Sequence, residues 1–383
     1  MMATAVICEF NPFHNGHKYL LEQAKKLRNE PVIAVMSGSF TQRGEPAFCS
    51  KFERARTALE NGADLVLELP TVYAVACAQR FAQGGVDIAK SFGEVNYLAF
   101  GCETDDIALL RAAADALGDP KVNGLIADKM KNGAYYPQAV ERAVREVLGD
   151  GAGGALASPN NILAVEYLRA LGDSKITPLP IKRAGAAHDG SKTSADFASA
   201  SYIRGMLRSG KDASSFLPSV PKEITYPENF ERAFLMKLRS LTAEDLKKLP
   251  ETGEGLENRI FSAVRNNNSI EEILEAAKTK RYTRARLQRI LCCAILGITE
   301  ELQSRRASYA RVLGFSPEGA ELLKSCSFEV VTSVAKALAS GGENSVFLRL
   351  DALAADVAAL GYKTVKSCGS DYHTKIIKAN CAR

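Results

Sequence analysis

Short apolar runs alternate with amphipathic stretches as far as about residue 210, and this alternation predicts the fold class. Each run is rich in Val, Ile and Leu, and polar turn residues and a helix-like stretch follow it. This pattern is typical of an α/β fold with a parallel sheet, in which ligands bind beyond the carboxyl ends of the strands. The predicted strands are Ala3–Cys8, Pro31–Met36, Ala63–Leu69, Val95–Gly101 and Ile176–Ile181.

Beyond about residue 210 the pattern becomes mainly helical. Because Pro218 and Pro221 mark the change, we predict a first domain over residues 1–215 and a mainly α-helical C-terminal domain over residues 216–383. One short strand, Phe328–Val331, is predicted inside the second domain. Its predicted helices are Asn229–Leu241, Thr242–Lys248, Gly255–Asn266, Ile270–Lys278 and Thr283–Ile298, with Thr242 and Ser269 as N-caps.

The turn after the first predicted strand carries the residues that indicate chemistry. His14 and His17 lie where this strand passes through a loop into a helix. A helix N-terminus offers free N–H groups and a partial positive charge to a phosphate, and Gly16 lets the backbone approach a nucleotide closely. The histidines can donate hydrogen bonds as charge moves onto a leaving pyrophosphate. The simpler alternative is a turn with two surface histidines, but half of the chain's four histidines lie in this one motif.

This segment resembles the HxGH signature of the nucleotidylyltransferase superfamily, which includes the class I aminoacyl-tRNA synthetases. The resemblance implies attack on the α-phosphate of ATP, and a Rossmann-like nucleotidylyltransferase domain that binds ATP over residues 1–215. Ser199, Ser201 and Arg204 resemble a later signature of the superfamily, at a helix start where hydroxyls and an arginine suit phosphates. Helix capping is the alternative explanation for the two serines.

A longer series of segments is similar to the bacterial tRNA(Met) cytidine acetate ligase family. The resemblance runs from about Ala3 to at least Gly314 and weakens toward the C-terminus. It implies that ATP activates acetate as acetyl-adenylate, and that the acetyl group passes to N4 of the wobble cytidine (position 34) of elongator tRNA(Met), giving N4-acetylcytidine. The segments that carry it are Cys8–His17, Val35–Ala47, Asp64–Pro70, Phe100–Gly101, Ser158–Leu163 and Lys278–Thr283, with Lys51, Arg54 and Arg56.

The family's ATP contacts fall, by position, on residue types that suit a nucleotide. Gly101 ends a strand, Asn160 begins a helix, and Arg183 follows a strand and can pair with a phosphate. The alternatives are a helix cap for Asn160 and a solvated charge for Arg183. His14 and His17 are the predicted catalytic residues. The full predicted ATP-binding set is Ile7, Cys8, Glu9, Phe10, Asn11, Pro12, Phe13, His14, Asn15, Gly16, His17, Lys18, Tyr19, Leu20, Gly101, Asn160, Arg183, Ser201 and Arg204.

A polar loop and helix follow the second predicted strand, at the same end of the sheet as the histidines. We predict that they line the entrance for acetate or RNA, although a charged surface loop is the simpler alternative. The residues concerned are Gly38, Gln42, Arg43, Lys51 and Arg54.

The densest basic stretch of the chain lies between Lys278 and Arg289 and contains no acidic residue. Lysines and arginines there can follow RNA phosphates, and Tyr282 can stack on a base. A solvated helix face is the alternative. The predicted tRNA-binding residues are Lys278, Lys280, Arg281, Tyr282, Arg284, Arg286 and Arg289. A second basic group follows at Arg305, Arg306 and Arg311, with Tyr309 between them.

Composition and charge exclude several classes. No run of 18 or more apolar residues suggests a membrane span, and the net charge of +5 is modest. Nine cysteines without metal-ligand spacing, and only four histidines, predict no metal ligand in the protein. These thiols and the absence of a signal-peptide pattern favour the cytoplasm. Mg²⁺ is expected as the ATP complex, and no feature predicts an oligomeric state.

Two other functions remain open at this stage. A small-molecule nucleotidylyltransferase would need little beyond about residue 210, so the long helical half disfavours it. A non-catalytic RNA-binding protein would not need His14, His17, Ser201 and Arg204. A thiol acyl carrier at Cys8 or Cys102 is disfavoured because an amine can attack an adenylate directly.

Overall fold

Strands and helices alternate along the chain in the computed structural model, which describes residues 2–184 and 196–379. The strands of the single sheet in these residues are β1 Ala3–Cys8, β2 Val32–Ser37, β3 Leu65–Leu69, β4 Val95–Cys102, β5 Thr177–Lys182, β6 Tyr309–Phe315, β7 Glu329–Val331 and β8 Ile377–Lys378.

Helices follow nearly every strand. The helices up to β6 are α1 Asn15–Arg28, α2 Lys51–Glu60, α3 Thr71–Ala74, α4 Ala78–Lys90, α5 Ile107–Ala116, α6 Pro120–Lys131, α7 Tyr136–Leu148, α8 Asp150–Ala155, α9 Pro159–Leu171, α10 Ala200–Arg208, α11 Pro227–Arg239, α12 Ala243–Lys247, α13 Leu256–Asn266, α14 Ile270–Ala277, α15 Arg284–Leu296 and α16 Glu300–Ser304. Those after β6 are α17 Pro317–Leu322, α18 Val334–Ser340, α19 Ser345–Ala358 and α20 Ser370–His373.

The sheet order is β5-β4-β1-β2-β3-β6-β7, with β8 beside β6. Strands β1 to β5 are parallel to one another. Alternate side chains of β1 enter two cores, with Ala3, Ala5 and Ile7 on one face and Val6 and Cys8 on the other. The strand order reverses at β1, because β2 lies on one side of it and β4 on the other. The carboxyl ends of β1 and β4 therefore flank the topological switch point, where such folds bind ligands.

The predicted α/β fold class is confirmed. β1 has the predicted bounds, and β2 to β5 differ from prediction by one or two residues at either end. In the second half, α11 to α15 correspond to the five predicted helices, and Thr242 and Ser269 cap α12 and α14 as expected. Of the described residues, none belongs to a helix that is both long and apolar enough to cross a membrane.

The C-terminal part of the chain returns to the sheet, where β7 corresponds to the predicted strand Phe328–Val331, whereas β6 and β8 were not predicted. β6 pairs antiparallel with β3, and β7 and β8 pair with β6. The sheet therefore contains strands from both sides of the boundary predicted between residues 215 and 216. The basic neighbours of Arg311 in the sequence suggested that it lies at the surface. Its side chain is instead buried in β6 beside Glu68 of β3.

Candidate active site

His14 and His17 form a stacked pair at the start of α1. His14 is the N-cap residue, and its Nδ1 accepts a hydrogen bond from the Gly16 amide at 3.0 Å. The Nδ1 of His17 accepts in turn from the His14 amide at 3.2 Å. The two ring centroids are 3.7 Å apart with an interplanar angle of 25°. A Cβ at Gly16 would lie 2.8 Å from the His14 ring, so glycine is required for this arrangement.

The backbone contacts determine which nitrogen of each ring carries the proton. Since Nδ1 accepts a hydrogen bond in both histidines, each neutral imidazole holds its proton on Nε2. Burial, together with nearby Arg183 and Arg204, lowers the pKa of His14 to about 3. Burial, then His14 and Arg183, hold the pKa of His17 well below its ordinary value. At neutral pH the pair therefore consists of two uncharged rings, each with an Nε2–H donor.

The histidines line a cleft of about 580 Å³ at the carboxyl ends of β1, β4 and β5. This volume lies in the range usual for small-molecule and cofactor sites. The predicted ATP-binding residues that line it are Ile7, Cys8, Glu9, His14, Gly16, His17, Tyr19, Leu20, Gly101, Asn160 and Arg183.

The other predicted ATP-binding residues lie around the cleft rather than in its wall. Phe10 and Phe13 are buried in the core between α1 and the sheet, and Lys18 is 3.8 Å from Glu22 near the helix surface. The Asn15 amide donates to the Asp196 and Ser215 carbonyls at 2.9 Å. These residues position the motif, whereas their contact with ATP stays a prediction. Asn11, Pro12, Ser201 and Arg204 complete the group outside the cleft wall.

Arg204 and Ser201 hold the loop that precedes the histidines. The Arg204 guanidinium donates to the Asn11 carbonyl at 2.8 Å and to the Ser201 hydroxyl at 3.2 Å. The Asn11 side chain accepts from the Phe48 amide at 2.6 Å. Ser199 is the N-cap of α10 and accepts from the Tyr202 amide. The capping alternative is therefore correct for Ser199, while Ser201 is exposed beside Arg204.

The loop after β2 connects the cleft to the helical half of the chain. Gln42 and Arg43 line the cleft, and the backbone N–H of Gln42 donates to the Glu9 carboxylate at 2.7 Å. Burial raises the pKa of Glu9 despite this hydrogen bond. Gly44 has a φ of 74°, and a Cβ there would lie 2.6 Å from the Arg289 amide nitrogen of α15. The entrance role predicted for this loop is consistent with Gln42 and Arg43.

Lys51 and Arg54 do not line an entrance, so that part of the prediction is wrong. Both side chains are at most 2% exposed. Lys51 pairs with Glu68 at 2.6 Å and with Asp371 of α20 at 2.7 Å. Arg54 donates to the carbonyls of Glu9, Ser37 and Gly38. Both residues stabilise the ends of β1 and β2 from inside the protein. Their charges suggested a surface position, but partners distant along the chain accommodate these charges.

The start of α15 brings the basic segment to the cleft. Thr283, its N-cap, and Ala285 both line the cleft. Within residues 278–289 the exposed basic side chains are Lys278, Lys280 and Arg281. The segment thus adjoins the histidine site, as a tRNA-binding role requires.

Other parts of the basic segment are engaged within the protein. Tyr282 is only 9% exposed and lies under the Arg286 guanidinium, so the predicted stacking of its ring on a base does not fit. Arg289 pairs with Glu251 at 2.6 Å and Arg284 with Glu271 at 2.5 Å. The segment itself lacks acids, but neighbouring helices and loops supply them. Arg286 in turn donates to the Glu251 carbonyl.

Cys8 and Cys102 are unsuited to carry an acyl group. Burial raises the pKa of Cys8 far above its ordinary value and that of Cys102 to about 12. Since the thiolate is the nucleophile, both thiols are inert near neutral pH.

Two features of the cleft were missed from the sequence. One is an apolar wall formed by Ala78, Phe81, Phe100, Leu163 and Tyr167. The other is Glu103, which accepts a hydrogen bond from the Asn160 amide at 2.6 Å. Its position immediately after β4 was the available signal, because functional residues follow strands in this fold. The capping alternative for Asn160 is wrong, since Ser158 is the N-cap of α9.

Sequence comparisons match nearly the whole chain to known proteins. The profile of the family described as HIGH Nucleotidyl Transferase matches residues 1–372. A tRNA(Met) cytidine acetate ligase of Clostridium kluyveri is 38% identical over 85% of this chain and 86% of that protein. One of Caldanaerobacter subterraneus is 36% identical over 99% of this chain and 100% of that protein.

Two solved structures are also similar along nearly the whole chain. Apo Thermotoga maritima TmcAL superposes with a TM-score of 0.90 at 30% identity, covering 99% of both chains. The same protein bound with alpha-thio ATP gives a TM-score of 0.89, with the same identity and coverage.

Proposed function

The chain belongs to the tRNA(Met) cytidine acetate ligases of the HIGH nucleotidyl transferase family, and on that premise we propose that it acetylates a cytidine of tRNA(Met) using ATP and acetate. A carboxylate oxygen of acetate attacks the α-phosphorus of ATP, and pyrophosphate leaves. The N4 amine of the wobble cytidine (position 34) of the elongator tRNA then attacks the acetyl carbon and loses a proton, and AMP leaves. The product is N4-acetylcytidine.

The stacked pair of neutral histidines is the observation that carries this proposal. In residues 2–184 and 196–379 no hydrogen-bond partner is found for Nε2 of His14, so this N–H group is available to phosphate oxygens. The ring of His17 has a backbone hydrogen bond at Pro12, which partly offsets the lowering of its pKa by burial. Neutral donors that are already oriented stabilise charge developing on the phosphates without the rearrangement that water would need. Arg183, which is partly exposed in the same cleft, adds a positive charge for the triphosphate.

Magnesium enters this proposal only with the nucleotide. Glu9 is the one carboxylate in the described cleft lining, and it already accepts the Gln42 amide. Mg²⁺ is commonly held by substrate phosphates, waters and few protein carboxylates. This donor set fits an ion brought by ATP, which would neutralise charge on the phosphates.

The apolar wall of the cleft suits the methyl group of an acetyl-adenylate. Phe81, Phe100 and Tyr167 are aromatic and almost fully buried, so they offer an apolar surface to a methyl group. Water would be excluded from this wall, which protects a reactive adenylate from hydrolysis. We propose this wall as the acetyl side of the cleft.

The tRNA would approach from the side of α15. Lys278, Lys280 and Arg281 are exposed next to the residues of α15 that line the cleft. Phosphates of an RNA stem could contact these charges while a base is turned out toward the adenylate. A small-molecule nucleotidylyltransferase would have no use for this surface.

Exchange of labelled pyrophosphate into ATP tests the adenylation step. We expect exchange that depends on acetate, and a His17→Ala variant should lose it by 100-fold or more, roughly the loss seen when an electrostatic donor is removed. His373→Ala is the matched control, because that ring is exposed on α20. Acetate-independent exchange would contradict the proposal, and so would normal exchange by His17→Ala.

A further inference from the structure

We propose that Glu103 is a positioning residue for nucleotide selectivity, because it orients the Asn160 amide so that its carbonyl oxygen faces the nucleoside of ATP. This inference rests on the proposed function, since it takes ATP as the ligand. Glu103 follows β4 directly and is partly buried at the edge of the cleft. The family resemblance assigns it no role.

The Glu103 carboxylate is held from three directions. Its Oε1 accepts from the Asn160 amide nitrogen at 2.6 Å and lies 3.8 Å from Nε of Arg183. Its Oε2 accepts from the Ser158 hydroxyl. The Glu103 backbone amide donates to the Asn161 side chain at 2.9 Å. Ser158 and Asn161 therefore brace Glu103, and neither lines the cleft, whereas Asn160 does.

The chemistry of the pair determines how the Asn160 amide is turned. An ionised carboxylate only accepts hydrogen bonds, whereas a carboxamide has one donor end and one acceptor end. Asn160 must therefore direct its NH₂ group toward Glu103, and its Oδ1 away from it. No hydrogen bond to this oxygen is found within residues 2–184 and 196–379. A fixed acceptor is thus available to a ligand in the cleft.

A fixed acceptor restricts which part of ATP it can contact. The triphosphate presents acceptors at neutral pH, so it gains nothing from Oδ1. The donors of ATP are the 6-amino group of adenine and the ribose 2′- and 3′-hydroxyls. Asn160 Oδ1 therefore recognises a donor on the nucleoside. Without Glu103, the amide could rotate and the acceptor would no longer be fixed.

Binding of ATP analogues tests this inference. We would measure dissociation constants by calorimetry for ATP, purine riboside triphosphate, 2′-deoxy-ATP and 3′-deoxy-ATP. The wild type should bind one analogue, the one that lacks the recognised donor, about 5- to 10-fold more weakly than ATP, the usual value of one hydrogen bond. The purine analogue identifies the 6-amino group, and the deoxy analogues identify a ribose hydroxyl.

Variants show whether Glu103 acts through Asn160. Glu103→Ala and Asn160→Ala should each weaken ATP binding about 5- to 10-fold and leave the analogue without the donor almost unaffected, so that discrimination is lost. The double variant should be no weaker than either single variant, because the two residues act as one unit. Glu141→Ala, at a partly exposed carboxylate paired with Arg145, is the matched control and should change none of these constants.

Two results with these variants would overturn the inference. Glu103→Ala could keep the wild-type discrimination among nucleotides, or the two substitutions could be additive. If Glu103→Ala did not fold, Ser158→Ala would replace it, because this change removes one hydrogen bond to the carboxylate. We expect Ser158→Ala to weaken the binding of ATP about 2-fold and to leave the binding of the analogue without the donor unchanged. Equal effects on both nucleotides would overturn the inference. A wild type that binds no ATP would overturn the proposed function as well.

Discussion

At the scale of single residues, His14 and His17 are two uncharged rings stacked at the start of α1. Their spacing and their place between a strand and a helix single them out in the sequence. Their lowered pKa values depend on burial and on Arg183, together with Arg204 for His14, and these arginines lie far along the chain. Glu103 escaped prediction for a similar reason, because its partners Ser158 and Asn160 come from α9.

The state of His14 predicts how stability depends on pH. The neutral ring is favoured in the fold, where its pKa is about 3, whereas an unfolded histidine titrates near 6.5. Below about pH 6.5 the unfolded state therefore binds the extra proton, and the free energy of unfolding falls until the pH reaches about 3. His14→Asn keeps a residue type that can cap α1 and removes the titrating ring.

We expect this substitution to reduce the loss of unfolding free energy between pH 6.5 and 5.0 by about 1.5 kcal/mol. Urea unfolding at the two pH values measures it. His373→Asn, at an exposed ring, should follow the wild type. The assigned neutral state would be wrong if the His14 variant lost as much stability as the wild type.

At the scale of elements, strands with a continuous apolar pattern were predicted well and β6 was missed. β1 to β3 are buried along their whole length and β4 over most of it, so their apolar runs are visible in the sequence. β5 lies at the edge of the sheet and is buried only at Leu179 and Ile181. β6 carries Arg311, whose charge is accommodated near Glu68 of β3 and the Asp371 carbonyl. A sequence pattern cannot show such pairing, because the partners are distant in the chain. The same applies to Arg284 and Arg289 of α15.

The exposed end of the basic segment predicts the salt dependence of tRNA binding. Lys278 and Arg281 make only surface pairs with Glu275 and Glu254, which contribute little and which a phosphate can replace. Changing Lys278, Lys280 and Arg281 to Gln together should weaken tRNA binding and lower the slope of log K against log[salt] by about 2. Filter binding over a series of salt concentrations measures this slope.

The control carries the same change of charge elsewhere. Lys324, Lys336 and Arg349 are exposed in the part of the chain that follows β6. Their replacement by Gln should leave the slope unchanged, and pyrophosphate exchange should be normal in both triple variants. An equal fall of the slope in the two variants would mean that the segment before α15 is not the RNA site.

At the scale of the whole molecule, the C-terminal part of the chain stabilises the end of the sheet that lies beside the cleft. Lys51, next to the loop that reaches the cleft, is neutralised by Glu68 of β3 and by Asp371 of α20. Residues separated by more than 300 positions therefore meet beneath one end of the sheet. The helical layer from α11 to α15 reaches the cleft from another side through α15. The apolar wall, the start of α1 and the basic surface thus meet at one cleft, as the proposed acetyl transfer to RNA needs.

The complete reaction tests the central claim most directly. The protein would be incubated with ATP, isotopically labelled acetate and an elongator tRNA(Met) transcript, and the digested nucleosides analysed by mass spectrometry. We predict labelled N4-acetylcytidine at one position, the wobble cytidine, only when ATP and acetate are both present. An unlabelled tRNA, label at other positions, or acetylation without ATP would contradict the assignment of this chain as an acetate ligase.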